Sequence, residues 1–378
     1  MTISSTRLTV LFCIASVTLA ADRPWVPTTT EQSIRRVATL RAARAAHTAT
    51  TLPSGGILLA GGMTEGGGSL ASVERFDPRD NSIHEVGSLG TPRAGHTATL
   101  LPDGRVLVAG GYNGEYLKSL ELFDPSTNRF RAAGSLVEPR SEHTATLLPD
   151  GRILFAGGVG QGWTFLRSAE LYDPATGRSE LVGSMSVARE SHTATLLQDG
   201  RILIVGGHSG RRQNMVVYSS AEIFSLQSRR FESTGTLGTS RHKHDAVKMA
   251  DGRVLVIGGA DRSDRVYFAT TEIYDPRTGI FERGPSMANE RYKIAGTAIL
   301  LPDRNVLVTS GAQTAELLDV AHGQFRVVRG RLPAALRFAA AASLRNGDVV
   351  IAGGYDDANH NSAGVWRFEY RSAPPNDR

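Results

Sequence analysis

One sixteen-residue segment recurs along this chain, and its period limits the possible folds more than any other feature. Its copies begin at residues 47, 96, 143, 192, 244, 296 and 339, running from HTATTLPSGGILLAGG in the first to AAAASLRNGDVVIAGG in the seventh. The closing glycines of successive copies are 43 to 52 residues apart. A period in this range indicates an array of supersecondary units that bury a core only by stacking on one another.

Each repeat unit predicts four short antiparallel strands. A strand of small and β-branched residues, HTATLL, leads through a PDG turn into the apolar strand RVLVAGG. After a loop of variable length comes a strand that ends in an aromatic residue and Asp-Pro, such as Ser168 to Pro174, followed by a turn and a fourth strand, such as Arg129 to Leu136. Seven such units predict an all-β fold, a seven-bladed β-propeller.

The two ends of the chain are expected to close the ring of blades. The seventh unit stops after its third strand, residues 363–370, while residues 33–40 precede the first repeat as a fourth strand precedes each later one. We therefore expect the N-terminal strand to complete the last blade and to remove the open sheet edges. The predicted organisation is a signal peptide at 1–20, a linker at 21–32, the propeller at 33–370 and a tail at 371–378.

The first 20 residues follow the pattern of a secretory signal peptide. Arg7 supplies the positive charge, Leu8 to Leu19 the apolar run, and Ala20 the small residue at the cleavage site. Cys13, the only cysteine of the chain, lies inside this segment, where bulky Phe12 makes it a poor lipoprotein site. We expect a monomer that is exported to the periplasm or the medium, without disulfides or a membrane span in the mature chain.

The charge pattern argues against nucleic-acid binding. The formal net charge is +5, and the basic residues are scattered among the repeats. A nucleic-acid footprint requires a concentrated basic stripe.

Several features together resemble Kelch repeats: the glycine doublet, the variable loop after it, the aromatic third strand and the arginine before each first strand. The repeat sequences are similar to those of exported bacterial Kelch proteins and of the central propeller of galactose oxidases. The resemblance covers roughly residues 33–370. One departure lies in the fourth strand, where many Kelch units have tryptophan and this chain has Phe130, Phe231, Phe281 and Phe325.

The predicted strand order separates two faces. The arginines, glycine doublets and long variable loops share one face, here called the loop face, and the PDG and Asp-Pro turns share the other, the turn face. Binding residues concentrate on variable loops of a rigid frame, so we expect any ligand on the loop face. The candidate binding residues, in these loops and at the mouth of the central channel, are His47, His96, His143, His192, His244, Trp163, Arg211, Tyr218, Asp261, Arg265, Tyr267, Tyr355 and Asp357.

Five of these candidates are the histidines that open the first strands. They would form a partial ring around the channel mouth, interrupted at Gly296 and Ala339. Such a ring is a candidate for holding a transition metal or contacting a ligand. A residue repeated in most blades more often has the same packing role in each, and a wide ring does not converge on one ion. We therefore favour packing, and predict no metal and no cofactor.

Arginines before the first strands and glutamates in the third strands recur together. The seventh unit has Val365 in place of the glutamate, and the spacing of its Arg337 is shifted. This joint change predicts structural ion pairs rather than catalytic residues. They involve Arg93, Arg140, Arg189 and Arg241 with Glu121, Glu170, Glu222 and Glu272, and the pattern extends to Arg44, Arg291, Glu74 and Glu316.

Two weaker patterns predict no ligand. Asp356, Asp357, Asn359 and His360 make an oxygen-rich loop that lacks the spacing of a calcium motif. The glycines at 158, 160 and 162 are not followed by the predicted helix that a phosphate-binding loop requires.

The sequence favours a binding or scaffold protein that recognises a glycan or protein partner on its loop face, with no catalytic residue assigned. The resemblance also implies enzymes. Galactose oxidases need a cysteine cross-linked to tyrosine, which a chain whose only cysteine is Cys13 does not offer, and the Ser-x-Asp boxes of sialidases are absent from the sequence. The alternative is a sugar-active enzyme similar to exported Kelch mutarotases of sialic acid, in which His143 or His192 would act with Glu142 or Glu190 as acid and base.

Overall fold

The computed structural model describes residues 32–370, which form seven four-stranded antiparallel sheets. The first strands of successive sheets contact one another in a closed circuit, so the sheets are the blades of a propeller around one axis. This confirms the predicted fold. The predicted signal peptide, most of the predicted linker and the predicted tail lie outside the described residues. Among residues 32–370, no helix is long and apolar enough to cross a membrane.

The strands are numbered in chain order. Blade 1 contains β2 (Thr48–Thr51), β3 (Ile57–Ala60), β4 (Ser72–Asp77) and β5 (Ser82–Ser88), and blade 2 contains β6 (Thr97–Leu100), β7 (Val106–Ala109), β8 (Ser119–Asp124) and β9 (Arg129–Ser135). Blade 3 contains β10 (Thr144–Leu147), β11 (Ile153–Ala156), β14 (Ser168–Asp173) and β15 (Arg178–Ser184), with the loop hairpin β12 (Val159–Gly160) and β13 (Thr164–Phe165) around a 3₁₀ turn (Gln161–Trp163). Blade 4 contains β16 (Thr193–Leu196), β17 (Ile202–Val205), β20 (Ser220–Ser225) and β21 (Arg230–Thr236), with the loop hairpin β18 (His208–Ser209) and β19 (Val216–Val217) around a 3₁₀ turn (Arg212–Asn214).

Blade 5 contains β22 (Asp245–Lys248), β23 (Val254–Ile257), β24 (Thr271–Asp275) and β25 (Ile280–Arg283). Blade 6 contains β26 (Ala298–Leu300), β27 (Val306–Val308), β28 (Glu316–Asp319) and β29 (Gln324–Val327). Blade 7 contains β30 (Ala340–Ser343), β31 (Val349–Ala352), β32 (Gly364–Phe368) and, as its outer strand, β1 (Ile34–Thr39).

Blade 7 is built from both ends of the described chain, as the sequence predicts. β1 pairs antiparallel with β32, with Ile34 opposite Phe368 and Thr39 opposite Gly364. Because this pairing joins strands from the two ends of the described chain, the ring closes within one sheet.

The core lies between neighbouring blades. The second strand of every blade is buried along its whole length, as its continuous apolar sequence predicts. The large side chain near the end of each third strand packs against the preceding blade: Phe123 joins a cluster with Leu58 and Ala60 of blade 1, and Phe368 joins one with Leu307 of blade 6. Each blade therefore completes the core of its neighbour, which no blade could do alone.

The glycine doublets allow the chain to pass close to the next blade. Gly110 has φ 60°. A Cβ atom there would collide with the carbonyl oxygen of Arg140 and lie 2.9 Å from Cε1 of His143. Only glycine combines this left-handed backbone with so close an approach.

Six fully buried arginines pair with the glutamates of the third strands. Their Nη2 atoms lie 2.5 to 2.9 Å from the carboxylate oxygens, and every one of these arginine side chains is 0% exposed. The pairs are Arg44–Glu74, Arg93–Glu121, Arg140–Glu170, Arg189–Glu222, Arg241–Glu272 and Arg291–Glu316.

The blade 3 pair shows what these ions join. Arg140 donates to the carbonyl oxygen of Gly157 at 2.7 Å as well as to Glu170. Glu170 also accepts the backbone N–H groups of Val137 at 2.6 Å and Glu138 at 3.0 Å, in the segment that arrives from blade 2. The pair thus ties the crossing segment to the second and third strands of the blade it enters.

Replacing one of these glutamates should cost far more stability than breaking a surface pair. We expect Glu222→Gln to lower the free energy of unfolding by about 3 kcal/mol or more, because the charge of Arg189 stays buried without its counter-ion. The control is Asp199→Asn, which breaks an exposed pair with Arg201 and should cost less than about 1 kcal/mol. Denaturant unfolding of the three proteins measures both values, and equal losses would contradict the structural role.

Candidate functional site

The repeat histidines form a buried packing ring around the channel. Their side chains line the channel but are only 1 to 6% exposed, and they pack on the glycine doublets of the preceding blade. Four Nε2 atoms lie 3.0 to 3.2 Å from a threonine hydroxyl of the preceding blade, in the pairs His96–Thr48, His143–Thr97, His192–Thr144 and His244–Thr193. His47 follows blade 7, where Ala340 replaces that threonine.

Burial keeps these histidines uncharged. Desolvation lowers the pKa of all five histidines, and the nearby arginine of the same repeat acts in the same direction. The pKa of His96 and of His192 falls to about 3. Neutral, threonine-bound imidazoles are suited to packing rather than to acid–base chemistry near neutral pH.

A second ring, which the sequence analysis missed, surrounds the mouth of the channel. It consists of one residue from the segment that leads into the first strand of each blade, and all seven have φ between 49° and 61°: Ala46, Gly95, Glu142, Ser191, Lys243, Lys293 and Phe338. We call these residues the axial ring. Six of their backbone N–H groups donate to the carbonyl oxygen of the equivalent residue in the preceding blade, at 2.9 to 3.1 Å. These bonds hold residues other than glycine in a conformation that costs about 1–2 kcal/mol each.

The axial ring places charged side chains over a cavity of about 320 Å³. Burial raises the pKa of Glu142 to about 7, and the neighbouring Glu190 adds to this shift. Lys293 donates to the hydroxyl of Tyr355 at 2.5 Å, and burial lowers its pKa. The ammonium of Lys243 lies 2.9 Å from the carboxylate of Asp264.

A larger cleft of about 840 Å³ opens on the loop face over blades 4 and 5. Two long loops form its walls, and Lys243 connects it with the axial cavity. Its charged lining consists of Glu190, His208, Arg211, Arg212, Lys243, Asp261, Arg262, Asp264 and Arg265. Arg212 and Asp264 are held at φ 51° and 53°, so the cleft contains strained loop residues of the kind that cluster at functional sites.

A chain of buried polar side chains runs along the floor of this cleft. Glu190 Oε1 lies 3.0 Å from Nε2 of His208, whose Nδ1 lies 3.1 Å from Nδ1 of His242. Nε2 of His242 lies 3.0 Å from Oδ1 of Asp264 and 3.1 Å from the backbone oxygen of Asp261. Burial lowers the pKa of His242. Burial also opposes ionisation of Asp264, but the hydrogen bond from His242 and the charge of the adjacent lysine outweigh it and lower that pKa.

An aromatic cluster borders the cleft. Tyr112, Tyr116 and Trp163 have ring centroids 5.0 to 6.5 Å apart, and the guanidinium carbon of Arg211 lies 3.1 Å from the centroid of Trp163. Trp163 is 49% exposed and Tyr112 36%. Burial raises the pKa of Tyr116 to about 12. Because Arg211 lines the cleft and covers Trp163, the cluster and the cleft form one continuous surface.

The structure divides the predicted loop residues into two groups. Arg211, Asp261 and Arg265 line the cleft, and Trp163 lies beside it, whereas Tyr218 donates to or accepts from Ser209 at 2.6 Å in the blade 4 loop.

The other predicted loop residues lie near the channel mouth. Tyr267 stacks on Tyr292 at 4.7 Å, and Arg337 extends over this pair while its Nη2 lies 2.5 Å from Asp357. Tyr355 accepts the hydrogen bond of Lys293.

The fold and the repeats match known proteins. A family model described as the Kelch motif matches residues 92–136 and 249–288. The chain is a Kelch-motif β-propeller. A search of curated proteins gave no match. Among solved structures, a fungal alcohol oxidase of the AA5 family, in complex with copper, matches with a TM-score of 0.69 and 15% identity, over 89% of this chain and 75% of that one.

Within residues 32–370, no group of three or more histidine, cysteine, aspartate or glutamate side chains is arranged to hold a metal. At 15% identity, the likeness to the oxidase concerns the fold alone.

The neutral histidine ring should make the propeller sensitive to acid. The unfolded chain binds protons on these histidines below pH about 6.5, but the folded chain binds them on His96 and His192 only near pH 3, and the pKa of the other three is also lowered. The free energy of unfolding should therefore fall as the pH drops between these values, by about 1.4 kcal/mol per pH unit for each histidine. His96→Gln should reduce this slope by that amount, whereas the exposed His84→Gln should leave it unchanged. Denaturant unfolding at pH 6.5, 5.5 and 4.5 measures the slopes, and identical slopes for both variants would exclude the proposed cause.

Proposed function

We propose that this propeller is a carbohydrate-binding protein whose site is the loop-face cleft together with the aromatic cluster beside it. The observation that carries the proposal is the continuity of the two: Arg211 lines the cleft and stacks on the half-exposed ring of Trp163. The proposal includes export through residues 1–20 and action as a monomer in the periplasm or outside the cell.

The chemistry of the surface matches what a sugar offers. Sugar hydroxyls both donate and accept hydrogen bonds, and the cleft presents arginines as donors and carboxylates as acceptors. The apolar face of a sugar ring stacks on an exposed aromatic ring, which Trp163 and Tyr112 provide. The volume of about 840 Å³ lies within the range of ligand pockets.

Removing the aromatic or the cationic edge of the site should weaken sugar binding. We expect a saturable upward shift in melting temperature with at least one sugar of a panel of neutral and carboxylated mono- and disaccharides. Trp163→Ala and Arg265→Ala should each weaken the affinity for that sugar by about tenfold, because each removes about 1–1.5 kcal/mol of contact. The matched control is Arg277→Ala, at an exposed arginine of the turn face, which should bind as the parent does.

Two outcomes would count against this function. A sugar that binds Trp163→Ala and Arg265→Ala as tightly as the parent would place the site elsewhere. A panel without any shift, combined with capture of a protein partner that these two substitutions abolish, would favour a protein-binding loop face.

A sugar-active enzyme is the second candidate, and Glu142 is the observation in its favour. His143 and His192 are neutral and bonded to threonines, so they are poor choices for the acid and base. Glu142, with a pKa of about 7 at the channel mouth, could both accept and donate a proton near neutral pH.

The enzyme candidate has its own test in the interconversion of sialic acid anomers, followed by polarimetry. If the parent protein accelerates it, Glu142→Gln should reduce the rate about a hundredfold or more. No acceleration by the parent, or full activity in Glu142→Gln, would exclude this candidate.

A further inference from the structure

The polar chain on the floor of the cleft has more close contacts between polar atoms than two neutral imidazoles have N–H groups to fill. This mismatch determines where its protons lie. Its members are Glu190, His208, His242 and Asp264, and the two histidines are 2% and 0% exposed. A neutral imidazole carries one N–H group and one lone pair, so each contact restricts the next one along the chain.

The first restriction comes from a backbone carbonyl. Nε2 of His242 lies 3.1 Å from the carbonyl oxygen of Asp261, which can only accept, and 3.0 Å from the carboxylate of Asp264. Nε2 of His242 therefore carries a proton. Burial lowers the pKa of this imidazole, so its other nitrogen, Nδ1, bears a lone pair.

The second restriction follows at the contact between the two rings. Nδ1 of His242 accepts, so Nδ1 of His208, at 3.1 Å, donates. A neutral His208 would then present the lone pair of its Nε2 to Glu190 Oε1 at 3.0 Å. Two lone pairs at that distance repel each other in a buried site, so a further proton lies between His208 and Glu190.

This proton changes the charge of the cleft. Five basic side chains and three acidic ones line it, and the shared proton removes the negative charge from the Glu190–His208 unit as a whole. Asp264 is balanced by Lys243 at 2.9 Å. The arginines at 211, 212, 262 and 265 then face only one further carboxylate, that of Asp261.

We propose that the Glu190–His208–His242 chain holds one shared proton that increases the excess positive charge of the cleft, and that the cleft therefore binds a sugar bearing a carboxylate group. The inference rests on the proposed carbohydrate function and specifies its ligand class. Loss of the shared proton restores the charge of Glu190 beside the arginines, so the affinity for a carboxylated sugar falls as the pH rises.

The groups that face the shared proton come from several blades. Tyr116 of blade 2 and Glu142 of blade 3 interact electrostatically with Glu190. Lys243, Asp264 and Tyr292 surround His242. The neighbouring repeat histidine His244 is neutral over the range of the test. Glu142 has a pKa of about 7, so its own ionisation adds negative charge in the same direction as the pH rises.

The binding experiment uses a matched pair of sugars, galacturonate and galactose, titrated calorimetrically into the full protein at pH 6 and pH 9. We expect galacturonate to bind at least about tenfold more tightly than galactose at pH 6, and to lose about tenfold in affinity by pH 9. Glu190→Gln offers an amide N–H group that donates to the lone pair on Nε2 of a neutral His208, and it has no charge to restore. It should still bind galacturonate more tightly than galactose at pH 6, and its affinity for galacturonate should fall by less than about threefold by pH 9. Glu142→Gln is the control that removes the second titrating carboxyl and should keep most of the loss.

The shared proton has a test that needs no ligand. Long-range proton–nitrogen NMR spectra of the imidazoles at pH 6 should show His208 protonated on both nitrogens or sharing a strongly downfield proton, and His242 protonated on Nε2. A bare Nε2 on His208, or a divalent cation bound between the two Nδ1 atoms, would overturn the proton assignment.

The outcomes separate the two proposals. Equal affinities for galactose and galacturonate would overturn the carboxylate specificity while leaving carbohydrate binding intact. A pH loss that persists unchanged in Glu190→Gln and disappears in Glu142→Gln would overturn the role of this chain. Failure of the whole sugar panel would overturn carbohydrate binding and the ligand class with it.

Discussion

The buried arginine–glutamate pair at the junction between blades is the interaction on which the rest of the ring depends. A fully buried guanidinium is costly to desolvate, and it is tolerated here because Arg140 and its counterparts also donate to backbone carbonyls while the glutamates accept backbone N–H groups of the incoming segment. The same unit fixes where the chain enters each first strand. Blade 7 lacks it, since Val365 occupies the place of the glutamate, and its closure by β1 instead supplies the missing constraint. Arg337 is thereby free to reach Asp357 and to lie over Tyr267 at the channel mouth.

Rigid junctions explain why strained residues persist on the loop face. The axial ring keeps left-handed backbone at Glu142, Lys243 and Lys293, where glycine would be easier to accommodate. The backbone hydrogen bonds that link successive members of the ring hold this conformation, and together they offset the strain energy of the left-handed residues. The geometry is thus the same in every blade, while the side chain that it presents differs. A fixed frame with variable chemistry at one mouth is the arrangement expected of a binding face.

The sequence predicted the fold closely because each repeat unit contains the same pattern of strands and turns. The order of strands recurs in all seven units and the glycine doublet in six of them, so a pattern that is unclear in one unit can be recognised from the others. The absence of a fourth strand after the last unit indicates closure by residues 33–40. The site was less predictable. His208 directly follows the glycine doublet of blade 4 and His242 directly follows the buried arginine of blade 5, 34 residues apart, and only the folded ring brings their nitrogens within 3.1 Å. The histidines that recur in the repeats were the more conspicuous candidates, but a residue that recurs in most blades has a packing role here. The signal for the cleft was a histidine at two repeat positions where the other blades have different residues, although nothing in the sequence around either histidine specifies its partner.

Packing and charge together determine what this cleft can hold. A ring of buried ion pairs leaves little freedom for the blades, so the two loops of the cleft approach each other at a distance set by the frame and not by a ligand. Arg211 is held against Trp163, and Arg262 donates to the backbone oxygen of Gln213, before any ligand binds. The four cleft arginines are exposed to solvent, and the excess positive charge of the cleft favours an anionic ligand over a neutral one of the same shape. Glu190 changes the size of this positive charge: it is buried beside an imidazole with which it shares a proton, and it lines the same cleft as arginines that favour the release of that proton. Binding of a carboxylated sugar and retention of the shared proton therefore stabilise each other, because the negative charge of the sugar favours the bound proton and the proton reduces the repulsion between Glu190 and the sugar.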